Sequence, residues 1–225
     1  MKALAVLSGG LDSTVALAQS LQTKSPVTHA VFFDYGSKHT AREYIAACLV
    51  ANHYNIPLTR VCLPFSSWGF KSNLLAGQGE IPEGHYEDET MRSTVVPFRN
   101  GIMLAIAAGM AESLELDGIL IGSHFGDHAV YPDCRQSFNV PMREAIKAGT
   151  YRNITLVTPF ALNAKWYIVT EGVRLGVPME LTWSCYKGDD KHCGVCGTCV
   201  ERKEAFVLAA KNTCKEIIDP TEYAE

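Results

Sequence analysis

Residues 2–7 are apolar throughout after Lys2 and are followed by Ser8 and two glycines, a pattern that predicts a short buried strand over 2–7. Val15, Leu17, Ala18 and Leu21 then place a helix over residues 12–21. A second strand is expected at residues 28–34 (THAVFFD), and a second helix at 40–52, where Ile45, Ala46 and Leu49 fall at helical spacing. A third strand follows at 58–63. Beyond a long irregular stretch, a small-residue helix is expected at 99–114. A fourth strand follows at 118–122, a helix over 141–147, a fifth strand at 154–157, and helices at 165–175 and 199–211. Strands alternating with helices imply βαβ units, so the expected fold is α/β, a Rossmann-like five-stranded parallel sheet with helices on both faces.

The stretch 64–95 breaks this rhythm. It holds Gly77, Gly79, Pro82 and Gly84 beside the acidic residues Glu80, Glu83, Glu87, Asp88 and Glu89. A loop of that length reads as a lid, a binding segment or a mobile connection.

Composition narrows the classes. The chain has 225 residues, 47% of them hydrophobic and 20% charged, enough apolar material for a packed core. A net charge of −4 argues against a protein that grips a nucleic acid backbone. No signal-peptide pattern opens the sequence, and no apolar run approaches the ~20 residues of a membrane span. A cytoplasmic protein that binds small molecules is the expectation.

Eight cysteines are unevenly placed. Cys185, Cys193, Cys196 and Cys199 follow a C-x7-C-x2-C-x2-C spacing that lets four thiolates converge on one tetrahedral ion. Four sulfurs leave no open position, so a structural Zn2+ is expected, making residues 181–225 a helical zinc-binding segment after an α/β domain over 1–180. His192 is a spare ligand, and the alternative reading is reduced cysteines or a redox pair. Cys48 and Cys62 read as small core residues.

Ser8-Gly9-Gly10-Leu11-Asp12-Ser13 joins the first strand to the first helix. Glycines let a ligand approach the backbone, and a helix N-terminus with free N–H groups attracts anions. The stretch has no lysine for a Walker A loop and too few glycines for a dinucleotide fingerprint. A tight turn with an aspartate cap is the plain alternative.

Other polar islands follow strand ends, where a parallel sheet places its ligand crevice. Asp34, Lys38 and His39 are either an exposed turn or one wall of a nucleotide pocket, with Lys38 or His39 reaching phosphates or the acceptor. Arg99 and Asn100 open a helix and are surface or pocket residues. Asp133, between Tyr131 and Arg135, suits the paired N–H edge of a guanine-like ring, or else pairs with Arg135 to fix the loop. Lys165 is placed to neutralise charge on an α-phosphate.

The string Ser8–Ser13 resembles the S-G-G-x-D-S loop of the ATP-pyrophosphatase enzymes, of the adenine nucleotide alpha hydrolase-like fold. The further order of Asp34-Tyr35-Gly36 with His39, Val96-Pro97 with Arg99-Asn100, Tyr131-Pro132-Asp133-Cys134-Arg135, Thr158-Pro159 with Lys165, and Ser184-Cys185-Tyr186 is similar to the 7-cyano-7-deazaguanine synthase family. The resemblance implies that Ser8, Gly9, Gly10 and Ser13 hold pyrophosphate and that Asp12 organises Mg2+. Asp12, Lys165 and Arg99 are then the catalytic candidates, with Arg99, Asn100, Tyr131, Asp133 and Arg135 on the substrate. It implies a ligase that converts 7-carboxy-7-deazaguanine and ammonia into the nitrile through an adenylate and an amide, using ATP and releasing AMP and pyrophosphate. A homodimer is the family expectation, and Cys134 reads as a pocket wall.

One stretch departs from that family. Its common bacterial members carry Glu-Thr-Asp-Phe-Ser-Gly before Tyr-Pro-Asp-Cys-Arg, whereas this chain has His124-Phe125-Gly126-Asp127-His128-Ala129-Val130, and Phe98 replaces a small residue. A relative that stops at the amide, or that joins the activated deazaguanine to another amine, is the second reading. A non-catalytic zinc-stapled ATP-binding module is the third.

Overall fold

A computed structural model describes residues 2–24, 26–86 and 88–224. Five strands form one parallel sheet: β1 (Ala3–Val6), β2 (Val27–Asp34), β3 (Leu58–Cys62), β4 (Gly118–Leu120) and β5 (Thr155–Val157), in the order β3-β2-β1-β4-β5. The order reverses direction between β1 and β4, which opens a crevice beyond the carboxyl ends of these strands.

Alternation along the strands feeds two cores. Ala5 and Phe32 point to one face, Leu4 and Val31 to the other, and all four are buried. Helices α1 (Leu11–Leu21), α2 (Thr40–His53), α5 (Lys165–Leu175) and α6 (Gly197–Thr213) supply the first core, through Val15, Val50, Val169 and Phe206 among others. Helices α3 (Arg99–Ser113) and α4 (Gln136–Ala148) supply the second, through Leu104, Ala107 and Ile146. The alanines of α3 bring its backbone close to the sheet.

Expected and observed elements agree in type and order, with one marked difference in extent. α4 begins at Gln136, well before residue 141, and carries Pro141 inside it. The first turn is held by Phe138 and Asn139 N–H groups donating to the Arg135 carbonyl, and by Asn139 Nδ2 donating to the Cys134 carbonyl. Pro141 forfeits one helical hydrogen bond, which these contacts offset.

The 64–95 stretch is packed down. Phe65, Leu74 and Leu75 are fully buried in the second core, and residues Glu89–Thr94 form a short 3-10 turn. The C-terminal segment shares the first core through Ala205, Phe206 and Ala209. Arg202, fully buried, ties α6 to Thr182, Ser184, the Met179 carbonyl and Asp219.

Candidate active site

The turn after β1 is shaped by close approach. Gly9 has φ +78°, and a Cβ there would lie 2.5 Å from the Glu43 carbonyl oxygen and 2.6 Å from the Ala47 nitrogen. α2 therefore presses directly on the loop, and only glycine fits. On the opposite side, a Cβ on Gly122, just past β4, would meet the Ser13 nitrogen at 2.7 Å. Between these contacts Ser8 Oγ accepts from the Gly10 N–H at 3.2 Å and lies 3.1 Å from Ser13 Oγ. Gly10 is the N-cap of α1, and no side chain caps that helix. Ser8, Gly10, Leu11, Asp12 and Ser13 line the cleft, so its floor is an open helix N-terminus suited to an anion.

Above the floor lies a charged network. Lys165, the first residue of α5, donates to Asp12 Oδ2 at 3.1 Å and to Glu201 Oε2 at 2.8 Å. Burial works against the ammonium charge, but Asp12 and Glu201 outweigh it and hold the Lys165 pKa above its ordinary range. Burial conversely raises the Glu201 carboxyl, against the pull of Lys165. Asp12 Oδ1 is buried without a hydrogen-bond partner. His124 joins the cluster from the end of β4. Its Nδ1 accepts from the Gly126 N–H at 3.0 Å, which leaves Nε2 as the proton-bearing nitrogen. That nitrogen lies 3.5 Å from both Asp127 and Glu201 and 3.9 Å from Asp12. Asp127 also accepts from the Tyr86 hydroxyl at 2.9 Å, which brings the 64–95 stretch to the cleft.

The second wall is aromatic and basic. Arg99 Nη1 donates to the Tyr35 hydroxyl at 3.0 Å, with the guanidinium 5.2 Å from the ring centroid. Tyr131 and Tyr186 hydroxyls stand 3.4 Å apart, and Asn100 and Cys134 complete the surface. Burial pushes the Cys134 thiol well above its usual pKa, so it is no nucleophile at neutral pH, as a wall residue would be.

Six of the candidate nucleotide and substrate residues do not line this cleft, for identifiable reasons: Gly9 is pressed against α2, and the other five are held elsewhere. Asp34 is paired with Arg60 and accepts from the Gly36 N–H and the Thr40 hydroxyl. Lys38 turns away to the Gly79 carbonyl. His39 is buried behind the wall, 3.1 Å from the Tyr186 carbonyl. Asp133 accepts from the Asn100 N–H at 2.8 Å, so it orients the start of α3. Arg135 donates to the His128 carbonyl at 2.8 Å. Glu43, Tyr86, His124, Asp127 and Glu201 were not singled out from sequence. Only Asp127 carried a signal: it stands four positions before Tyr131, as does the Asp of Glu-Thr-Asp-Phe-Ser-Gly before the Tyr of its family string.

Cys185, Cys193, Cys196 and Cys199 bring their sulfurs within 4.8 Å of one another, and three of these residues are fully buried. Cys193 and Cys199 Sγ are 3.9 Å apart, close to the roughly 3.8 Å edge of a tetrahedron with ~2.3 Å metal–sulfur bonds. Backbone N–H groups of Lys187 and Cys193 donate to Cys185 Sγ, and that of Cys196 to Cys193 Sγ. The cluster can therefore hold a metal ion. His192 is turned otherwise: its Nε2 accepts from the Ser184 N–H at 3.0 Å. Among the described residues no helix is long and apolar enough to cross a membrane.

The profile of the family described as "Queuosine biosynthesis protein QueC" matches residues 2–210. A Porphyromonas gingivalis (strain ATCC 33277) protein named 7-cyano-7-deazaguanine synthase is 50% identical over 220 residues, 98% of this chain and 96% of that protein. Proteins of the same name from Desulfotalea psychrophila and Agrobacterium fabrum are 50% identical over 201 residues and 42% over 230. These matches cover 89% and 100% of this chain, and 91% and 93% of those proteins. Among solved structures, the U34-tRNA thiolase NcsA from Methanococcus maripaludis is 17% identical with a TM-score of 0.49, covering 94% of this chain and 66% of that one. With its family profile matched over residues 2–210 and relatives half identical along nearly their whole length, the chain belongs to the QueC family of queuosine biosynthesis proteins.

Proposed function

We propose that this chain is an ATP-dependent carbon–nitrogen ligase that converts 7-carboxy-7-deazaguanine and ammonia into 7-cyano-7-deazaguanine, acting as a cytoplasmic homodimer. The observation that carries the reading is one cleft with two unlike walls: an open helix N-terminus at Ser8–Ser13, and an aromatic surface at Tyr35, Arg99 and Tyr131. Such a cleft suits a triphosphate on one side and a planar acid on the other. The names of the relatives support the choice of acid.

In this reading the substrate carboxylate attacks the α-phosphorus of ATP. Negative charge grows on the departing pyrophosphate, where the first N–H groups of α1 and the Ser8 and Ser13 hydroxyls stabilise it. Lys165 faces the α-phosphate, whose oxygens draw it from Asp12 and Glu201. Arg99, Asn100 and Tyr131 fix the planar acid so that its carboxylate meets the phosphorus. The Asp12 oxygen without a partner suits Mg2+, which would supply charge neutralisation on the pyrophosphate. The four thiols suit Zn2+ in a closed structural site that supplies no chemistry. Ammonia then displaces AMP to give the amide. A second activation, at the amide oxygen, followed by loss of AMP gives the nitrile.

The test is product mass after incubation with 7-carboxy-7-deazaguanine, Mg-ATP and 15N-ammonia. A heavy nitrile with AMP supports both activations. Amide alone would assign the chain to an enzyme that stops halfway. The absence of AMP with this acid would overturn the reading.

A further inference from the structure

Glu43 stands in the first turn of α2, lines the cleft, and has a side chain 16% exposed. It lies where the two walls meet, since its carbonyl oxygen packs on Gly9 of the phosphate turn while Arg99 acts on its carboxyl from the aromatic side. Its carboxyl Oε2 is 3.5 Å from His39 Nε2.

The tautomer of His39 follows from geometry. Its Nδ1 lies 3.1 Å from the Tyr186 carbonyl oxygen, which can only accept, so Nδ1 carries the proton. The ring is 1% exposed, and burial lowers its pKa to about 4, so it is neutral. Nε2 therefore presents a lone pair, and it has no hydrogen-bond partner. A lone pair beside a carboxylate is repulsive, whereas beside a carboxylic acid it accepts a hydrogen bond. Burial likewise raises the Glu43 carboxyl, to about 8. Two neighbouring groups thus hold one proton, at the edge of a cleft. The other charged groups acting on Glu43 are Arg99 from α3, which favours the carboxylate, and Asp34 from the end of β2, which opposes it. Lys38 is turned to the Gly79 carbonyl.

We propose that Glu43, positioned by His39, is the base that converts ammonium into ammonia for attack on the activated carboxyl. The assignment rests on the ligase reading given above. Ammonium transfers one proton to the Glu43 carboxylate and becomes ammonia. The nitrogen lone pair forms the C–N bond, the C–O bond to AMP breaks, and its electron pair leaves on the phosphate oxygen. The surplus N–H proton passes to the departing AMP phosphate, giving the neutral amide. Glu43 returns its proton to solvent through the open cleft, and His39 Nε2 holds the acid in place meanwhile. A base titrating near the working pH suits this task.

The discriminating nucleophile is hydroxylamine, which is already neutral at pH about 7.5 and needs no such base. Full-length, metal-loaded wild type and Glu43→Gln are given Mg-ATP and 7-carboxy-7-deazaguanine with either ammonium or hydroxylamine, and amide and hydroxamate are quantified by mass. The substitution should lower the ratio of amide to hydroxamate at least 30-fold. Raising the pH to about 9.5, where free ammonia is abundant, should recover most of that ratio, and Glu43→Asp should keep it within about fivefold of wild type. An unchanged ratio, whether both products fall together or neither falls, would overturn the assignment while leaving the ligase reading intact. A wild-type chain that forms no AMP with this acid would overturn the ligase reading and this assignment with it.

Discussion

The carboxylate of Glu201 lies 2.8 Å from the ammonium of Lys165, although 36 residues separate them in sequence. Glu201 is two positions beyond Cys199 on α6. The cysteine cluster that anchors the start of α6 therefore also sets where the carboxylate partner of Lys165 stands.

Metal removal should accordingly affect both stability and chemistry. Chelation, or Cys199→Ser, should lower Tm by roughly 10 °C or more, the equivalent of ~4 kcal/mol in a chain of this size. AMP formation should fall in parallel, because Glu201 loses its register with Lys165. Metal content by mass spectrometry beside a thermal melt checks this; full activity in metal-free protein would refute the coupling.

Lys165→Met removes the cation that faces the α-phosphate in the proposed ligase reaction. The expected loss in kcat/KM for AMP formation is ~100-fold or more, the scale of removing one preorganised charge. Glu201→Gln should be milder, about tenfold, because Asp12 still holds the ammonium. Steady-state assays decide the ranking, and equal losses would speak against it.

Gly9→Ala combines a left-handed φ of +78° with a Cβ 2.5 Å from a carbonyl oxygen. The loop has to move, at a cost of ~2 kcal/mol or more. KM for ATP should rise at least tenfold, and Tm should drop by several degrees. Gly36→Ala, also at positive φ but with nothing within 4 Å of its Cβ, is the control and should cost less.

Glu43, half-buried at the cleft, gives a pH signature of definite sign. Its folded pKa, about 8, lies above its ordinary value of 4.5, so the folded state binds the extra proton. That contribution to stability is complete below about pH 4.5 and is lost as pH rises through 8. Wild type should therefore lose stability relative to Glu43→Gln between pH 5 and 9, as read by paired thermal melts. A constant difference across that range would show that the carboxyl is not held protonated.

Arg202 is fully buried with four polar partners, two side-chain hydroxyls, one carbonyl and the Asp219 carboxylate. Arg202→Ala should cost about 3–5 kcal/mol, because Asp219 is left without its counter-charge and the segment Met179–Ser184 loses its tie. Chemical denaturation measures it, and a cost near zero would mean that the tail is held by other contacts.

Local signals carried much of the fold. Strand and helix types were readable because the apolar period is a property of neighbouring residues. The turn between β1 and α1 was readable because its glycine pair and the helix that follows are contiguous in sequence. Helix α4 was underestimated because Pro141 reads as a boundary, while the contacts that sustain the first turn come from Cys134 and Arg135.

The site divides along the same line. The cysteine spacing brought three sulfurs within reach through two-residue intervals, with Cys185 joining them across seven residues, and Ser8–Ser13 lie contiguous in one turn. What the tertiary structure decided was which charged groups meet. Asp34, Lys38, His39, Asp133 and Arg135 sit at strand or helix ends, where the sequence cannot say which way a side chain turns; Arg60, Gly79, Tyr186, Asn100 and His128 capture them. Glu43 enters the cleft, and His124 and Glu201 meet Asp12 and Lys165 beside it, because distant helices and loops converge there. In sequence each is one polar residue among many. Their meaning arises from burial and from partners far along the chain, since desolvation and Coulomb forces act through space, across distances that sequence spacing does not encode.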